Sequence, residues 1–264
     1  MSLAVRNLAL CLLALLFAGP TIAVADQPRP NVVFFLLDDL GWKDLGCYGS
    51  DFYETPNIDE FAKQGVRFTQ AYATCHVCSP TRASILTGKY PARLDMTDWL
   101  SGRRDFPFQQ LLNAEIHQFL PLAEVTIAEA LKEAGYETAH IGKWHLGEEP
   151  HGPTAQGFDL QIPQWNKGWP RRGYHAPFGL DGLEDQPGDY LTDRLTDEAL
   201  DFIESSKDKP FFLYMSHYAV HDPIHGRKDL VEKYQKKLAG MKKPKGPAYI
   251  LEGNPDDDQP LTRR

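Results

Sequence analysis

The chain has 264 residues, with 36 acidic side chains against 28 basic ones and a formal charge of −8. That length suits one domain of α/β size or two small ones. An acidic chain without a basic block gives no support to nucleic-acid binding.

Residues 1–25 carry Arg6, an apolar run from Leu8 to Phe17 and the small-residue ending Ala23-Val24-Ala25. This is the three-part layout of a secretory signal peptide, with cleavage expected after Ala25 and a mature chain starting near Asp26. The apolar run is about half the roughly twenty residues a bilayer span needs, so no stable membrane span is expected in the mature chain. A lipoprotein box at Cys11 is disfavoured because Leu10, before it, is not small. Export to the periplasm or outside the cell follows as an expectation. Cleavage leaves Cys47, Cys75 and Cys78, an odd number that precludes complete internal pairing.

Asn31 to Leu37, NVVFFLL, is a continuous apolar run and reads as a strand buried on both faces. It ends in Asp38-Asp39. Next, TPNIDEFAKQG offers Thr55 as N-cap, Pro56 at the first helical position and Gly65 as the stop. A strand is expected at Val66–Ala71, then a short helix through SPTRASILTG ending at Gly88. A helix from about Thr126 to Ala134, a stop at Gly135 and a strand into Ile141 repeat the alternation. A further helix through Ile203 and a strand at Phe211–Met215 follow. Strands alternating with helices predict an α/β sheet with right-handed crossovers. Between Glu148 and Asp189 the periodicity fades, and loops over the sheet edge are expected. The tail reaches Arg264 without a closing element, so the sequence reads as cut off.

Two adjacent carboxylates at the end of a buried strand repel one another, and a hard cation relieves that repulsion. A solvated turn is the competing reading of Asp38-Asp39. Cys75-x-x-Cys78 has redox spacing, but a zinc site would need a second pair of ligands that the sequence lacks. Cys78 opens a helix whose free amides favour an anion, and Arg82 lies one turn on along the same face. An anion beside a cysteine is what this arrangement offers.

The blocks NVVFFLLDDLGWKDLGCYG, TPNIDEFAKQGVRFTQAY, CSPTRASILTGKYP and GYETAHIGKWHLG together resemble the sulfatase family. The likeness runs from Pro30 to about His225, the N-terminal part of that family's large domain, so residues 26–264 are read as part of one catalytic domain. It implies an alkaline-phosphatase-like α/β fold with a mixed sheet between helices. It also implies that Cys78 is oxidised to Cα-formylglycine by a formylglycine-generating enzyme, whereas Cys75 stays idle. Asp38, Asp39 and the modified Cys78 correspond to calcium ligands, and Arg82 to the side chain holding the hydrated aldehyde. Lys143 corresponds to a sulfate-binding lysine, His145 to the proton-accepting base, and His221 to a histidine on the sulfate. His217 is a weaker candidate for that last role. His76, His117, His151, His175 and His225 are lesser candidates for substrate contacts, and His140 and Trp144 are read as packing residues.

The implied activity is hydrolysis of sulfate monoesters, of small molecules or sulfated polysaccharides, with calcium. Phosphonate or phosphodiester hydrolysis through the same nucleophile is the second reading, and an inactive fragment the third. The family's later Asp-Asn or Asp-His pair and second lysine have no counterpart before Arg264, so only about half the metal site is expected here.

Overall fold

The computed structural model describes residues 29–242. The expected leader and the acidic Asn254–Pro260 segment lie outside them. Four strands form one sheet: β1 (Val32–Leu36), β2 (Glu137–Gly142), β3 (Leu160–Ile162) and β4 (Phe211–Ser216), in the order β1-β4-β2-β3. All three pairings are parallel, with Val32 opposite Phe212 and Gly142 opposite Ser216. Five helices accompany the sheet: α1 (Pro56–Gln64), α2 (Cys78–Thr87), α3 (Ile127–Glu133), α4 (Leu191–Ser205) and α5 (Lys228–Gly240).

β4 is the central strand, and every residue of it is buried. Its side chains alternate between two cores, as a period of two requires. Phe211, Leu213 and Met215 join Ala139 and Ile141 of β2 beneath Leu191, Leu195, Ala199 and Phe202 of α4. Phe212 and Tyr214 face the other way, onto Ala83 and Leu86 of α2 and Ala128 of α3. A fully buried Leu such as Leu195 contributes about 2 kcal/mol by leaving water. Helices therefore cover both faces, and the α/β architecture is that of an alkaline-phosphatase-like domain.

Two local expectations are corrected. β1 is buried on one face only: Val32, Phe34 and Leu36 pack inward, whereas Val33 and Phe35 are exposed. The reason is that α4 packs chiefly on β2 and β4 and does not extend over the neighbouring β1. Residues 66–71 are not a strand but an irregular segment with Val66 and Phe68 exposed. A strand needs a hydrogen-bonded neighbour, and among the described residues none pairs with this segment.

The helix boundaries follow their caps. Thr126 Oγ1 accepts from the Glu129 amide at 3.1 Å, while the Glu129 carboxylate accepts from the Thr126 amide at 2.8 Å. This reciprocal pair fixes the start of α3 and contributes about 1 kcal/mol. Thr55 precedes α1, with Pro56 first in the helix and Gly65 after it, but its hydroxyl donates to Asp59 and accepts from the Gly46 amide. No helix among the described residues is long and apolar enough to cross a membrane.

Because the strands are parallel, the carboxyl ends of β1, β2 and β4 open on one edge of the sheet. Asp38 follows β1, Lys143 and His145 follow β2, and Ser216 closes β4. Backbone pairing continues past the strands: the Asp38 amide donates to the Ala219 carbonyl, the Val220 amide to the Asp38 carbonyl, and the Lys143 amide to the Ser216 carbonyl. Gly142 has φ +113°, and a Cβ there would strike the Ser216 carbonyl, whose carbon lies 2.6 Å away. Only glycine lets β2 pass β4 this closely.

Candidate active site

Cys78 is the first residue of α2, preceded by Val77 in extended conformation. It is half-buried and unpaired, and its Sγ lies 3.2 Å from Nδ1 of His145. On the far side of that ring, Nε2 lies 2.8 Å from the Leu100 carbonyl oxygen. A carbonyl can only accept, so Nε2 carries the proton and Nδ1 presents its lone pair to Cys78. Burial, then the Lys143 and Arg82 cations, hold the His145 pKa down at about 3, so the ring is neutral near pH 7. A neutral imidazole aimed at the side chain of residue 78 is the state a proton acceptor needs.

Arg82 lies one turn along α2 and is 2 % exposed. Its Nη1 donates to the Lys143 carbonyl at 2.8 Å and to Ser216 Oγ, and its Nη2 stands 3.4 Å from Asp38 Oδ1. Lys143, wholly buried, places its ammonium on the other oxygen of Asp38. Burial raises the Asp38 pKa, but Arg82 and Lys143 outweigh it and hold the carboxyl below its usual range. Lys143 is pushed the opposite way from an ordinary ion pair: burial, then repulsion by Arg82, lower its pKa against the pull of Asp38. Two buried cations thus share one carboxylate, leaving a net positive site that an anion would balance.

The two adjacent acids do different work. Asp39 has a left-handed φ of 61° and a mostly solvated carboxylate, with His221 Nε2 at 4.0 Å from its Oδ2. His221 is anchored by its own backbone, since Tyr174 donates to the His221 carbonyl at 3.0 Å. Calcium prefers six to eight oxygens. Asp38 is engaged by two cations and Asp39 faces solvent beside His221, and no group of three or more acidic, histidine or cysteine side chains among the described residues could hold an ion. These residues do not by themselves fit a calcium site.

The sequence candidates separate in the structure. Cys78, Arg82, Lys143, His145 and Asp38 come together, while Asp39 and His221 stand beside them as a pair. His217 lies apart: its ring stacks on Phe35, its Nδ1 has no partner, and burial lowers its pKa to about 4. His140 and Trp144 pack in the aromatic cluster with Phe158 and Tyr214. Cys75 is a free thiol whose Sγ lies 3.9 Å from Nδ1 of His76.

Sequence reasoning missed Leu100, which orients His145, and Ser216, which bridges Arg82 and the Lys143 carbonyl. It also missed Gly168. A Cβ at Gly168 would lie 2.6 Å from Nδ1 and 2.8 Å from Nε2 of His145, so its bare backbone lies against the imidazole. The Gly168 loop, Trp165 to Trp169, is held by Trp165 Nε1 donating to the Trp169 carbonyl and by Arg171 over the Trp165 ring at 4.2 Å. A cavity of about 410 Å³ opens between this loop, His145 and the Trp99–Ser101 turn.

A nucleophile position at a helix start, a neutral imidazole and buried cations at the carboxyl edge of a parallel sheet define an α/β site for anionic esters. The Sulfatase family model matches residues 30–243. Rat N-acetylgalactosamine-6-sulfatase is 36% identical over 250 residues, covering 87% of this chain and 47% of the relative. The solved structure of Ps i-CgsB in complex with k-i-k-neocarrahexaose superposes with TM-score 0.65 at 29% identity, covering 79% of this chain and 49% of that one. A structure bound to its substrate D-glucosamine-2-N, 6-O-disulfate gives TM-score 0.64 at 32% identity, covering 82% and 39%. The chain belongs to the sulfatase family. It spans about half the length of the curated relatives it matches.

Proposed function

We propose that this chain carries the nucleophile site of a formylglycine-dependent sulfuric ester hydrolase acting on sulfated carbohydrates. The observation that carries the reading is the 3.2 Å approach of His145 Nδ1 to Cys78, with the ring neutral and its other nitrogen tied to Leu100. Position 78 suits conversion to Cα-formylglycine by a maturation enzyme, since the cysteine is unpaired and opens a helix within a matching motif. Hydrated, that group would supply one hydroxyl to displace the alcohol from sulfur and a second whose deprotonation would re-form the aldehyde and expel sulfate.

The remaining work falls to side chains already placed. Lys143 and Arg82 neutralise the sulfate oxygens in a buried site where charge is weakly screened. His145 Nδ1 takes the proton from the oxygen on residue 78. His221, beside Asp39, is the proposed contact near the leaving oxygen. We assign no step to calcium, since Asp38 is already held by Lys143 and Arg82. A carbohydrate substrate is supported by the names of the relatives, which include an N-acetylgalactosamine-6-sulfatase and a structure in complex with k-i-k-neocarrahexaose. Export, to the periplasm or outside the cell, rests on the layout of residues 1–25.

The test is mass spectrometry of the Cys78 peptide from a host containing a maturation enzyme. Replacing CH₂–SH by an aldehyde lowers the mass by about 18 Da. A wholly unmodified thiol there, together with no sulfate release from any ester by the protein from that host, overturns the proposal.

A further inference from the structure

Ser79 follows Cys78 in α2 and is wholly buried. A helix gains little from a serine, whose hydroxyl competes with the backbone for hydrogen bonds. Here the hydroxyl serves another segment: Ser79 Oγ accepts from the Leu100 amide at 3.1 Å, across 21 positions of sequence. The Leu100 carbonyl in turn accepts from His145 Nε2 at 2.8 Å, and His145 Nδ1 faces Cys78 Sγ at 3.2 Å. The peptide bond between Cys78 and Ser79 closes these contacts into a ring. It begins and ends on two neighbouring residues of one helix. Packing of the Leu100 side chain against the core that includes Leu86 and Trp144 holds that residue in place, and the amide bond to Ser79 fixes its rotation.

We propose that Ser79 is a positioning residue for the His145 imidazole, acting through Leu100 and touching no reacting atom. A neutral ring can turn either a lone pair or an N–H toward residue 78, and only the lone pair takes a proton. The Leu100 carbonyl makes that choice, because it accepts and cannot donate. It does so only while it stays within hydrogen-bond reach of Nε2. Without the Ser79 hydroxyl the Leu100 amide loses its acceptor, and the turn is driven toward another partner. The carbonyl then shifts, and the tautomer with its proton on Nδ1 becomes accessible. Placing the anchor beside residue 78 on the same rigid helix means that any movement of α2 carries nucleophile and base together. The inference rests on the sulfate-ester reading for the task of the base, but not for the geometry that holds it.

The experiment uses the full chain with Cys78 as the thiol, so that no maturation step enters. Nitrogen NMR of the labelled imidazole reads which His145 nitrogen carries the proton. Mass spectrometry of the Cys78 peptide follows its alkylation by iodoacetamide at pH 7, where the thiolate reacts and a nearby proton acceptor speeds it. Wild type should hold the proton on Nε2. Ser79→Ala should give a mixture of tautomers and slow Cys78 alkylation about fivefold, the factor one net hydrogen bond supports. Cys47 and Cys75 should react as before. Ser79→Thr keeps the acceptor oxygen and should stay close to wild type. Ala83→Gly, one turn further along α2, loosens the helix without touching the ring and should leave both readouts unchanged. The inference is overturned by a proton on Nδ1 in wild type, by an unaffected Ser79→Ala, by Ser79→Thr no better than Ser79→Ala, or by an equal loss in Ala83→Gly. Because no turnover is read, the expected pattern without sulfate release from the converted form would sink the enzymatic reading and leave the role of Ser79 standing.

Discussion

Gly168 lies flat against the imidazole of His145, and no side chain fits between them. A Cβ would stand 2.6 Å from Nδ1, the atom that faces Cys78. Gly168→Ala should therefore turn the ring away from residue 78 without disturbing either core, since neither core includes this loop glycine. Displacing a reacting group by about 1 Å costs on the order of 10² in rate. The expected outcome is a kcat loss of that size with an unchanged melting temperature, measured on the formylglycine form. An NMR shift of the His145 ring signals gives a second readout. Full activity in the variant would show that the base tolerates crowding and has a different role.

Gly142 makes a harsher demand. Its φ is +113°, and a Cβ would collide with the Ser216 carbonyl of the adjoining strand. Gly142→Ala should destabilise the domain by about 3–5 kcal/mol, through strain and loss of the β2–β4 pairing that ends in the site. Urea titration, or the soluble yield on expression, measures this directly. A wild-type midpoint would show that the strand ends can part at little cost.

The contrast between these glycines shows what was legible in the sequence. Gly142 stands in a recognisable block, GYETAHIGKWHLG, and the strand before it reads plainly from its apolar run. Cys78, Arg82, Lys143 and His145 were likewise visible, because two short motifs hold them at fixed spacing. Gly168 and Trp169 lie in an irregular loop with no periodicity, and their meaning depends on a ring more than twenty positions earlier in the chain. The Lys143–Asp38 pair joins residues 105 positions apart, and no local pattern encodes such a contact. The open face of β1 was hidden for a related reason. Its composition is that of a fully buried strand, but burial depends on whether a helix reaches it.

Stability should fall as the pH drops below about 6.5. His140 and His217 are buried, and burial lowers their folded pKa values from 6.5 to about 3 and about 4. In that window the unfolded chain binds protons that the folded chain refuses, so ΔG of unfolding decreases with falling pH. Each histidine removes about 2 kcal/mol between pH 6.5 and pH 5. His140→Phe keeps an aromatic ring among Trp144, Phe158 and Tyr214 and should flatten this part of the profile. Denaturation at a series of pH values checks it. An unchanged slope in the variant would mean that His140 accepts its proton without unfolding.

Asp38 is the single carboxylate between two buried cations, with Lys143 on one oxygen and Arg82 at 3.4 Å from the other. Asp38→Asn leaves both cations in place and removes the charge that balances them, a change that typically costs about 3–5 kcal/mol. Asp38→Asn with Lys143→Met removes one cation as well and should recover a large part of that loss. The same reasoning predicts how the variants respond to anions. An anion that binds the folded state stabilises it by an amount that grows with the logarithm of its affinity. In Asp38→Asn a sulfate ion would restore the missing negative charge beside Lys143 and Arg82, so its stabilising effect should exceed that seen in wild type. In the double variant the effect should shrink, because only Arg82 remains to hold the ion. Thermal melts of the three proteins across a sulfate series, with chloride at matched ionic strength as control, separate these outcomes. Equal sulfate stabilisation in all three would place the anion site away from Lys143 and Arg82, and would remove the electrostatic basis for assigning sulfate to this edge of the sheet.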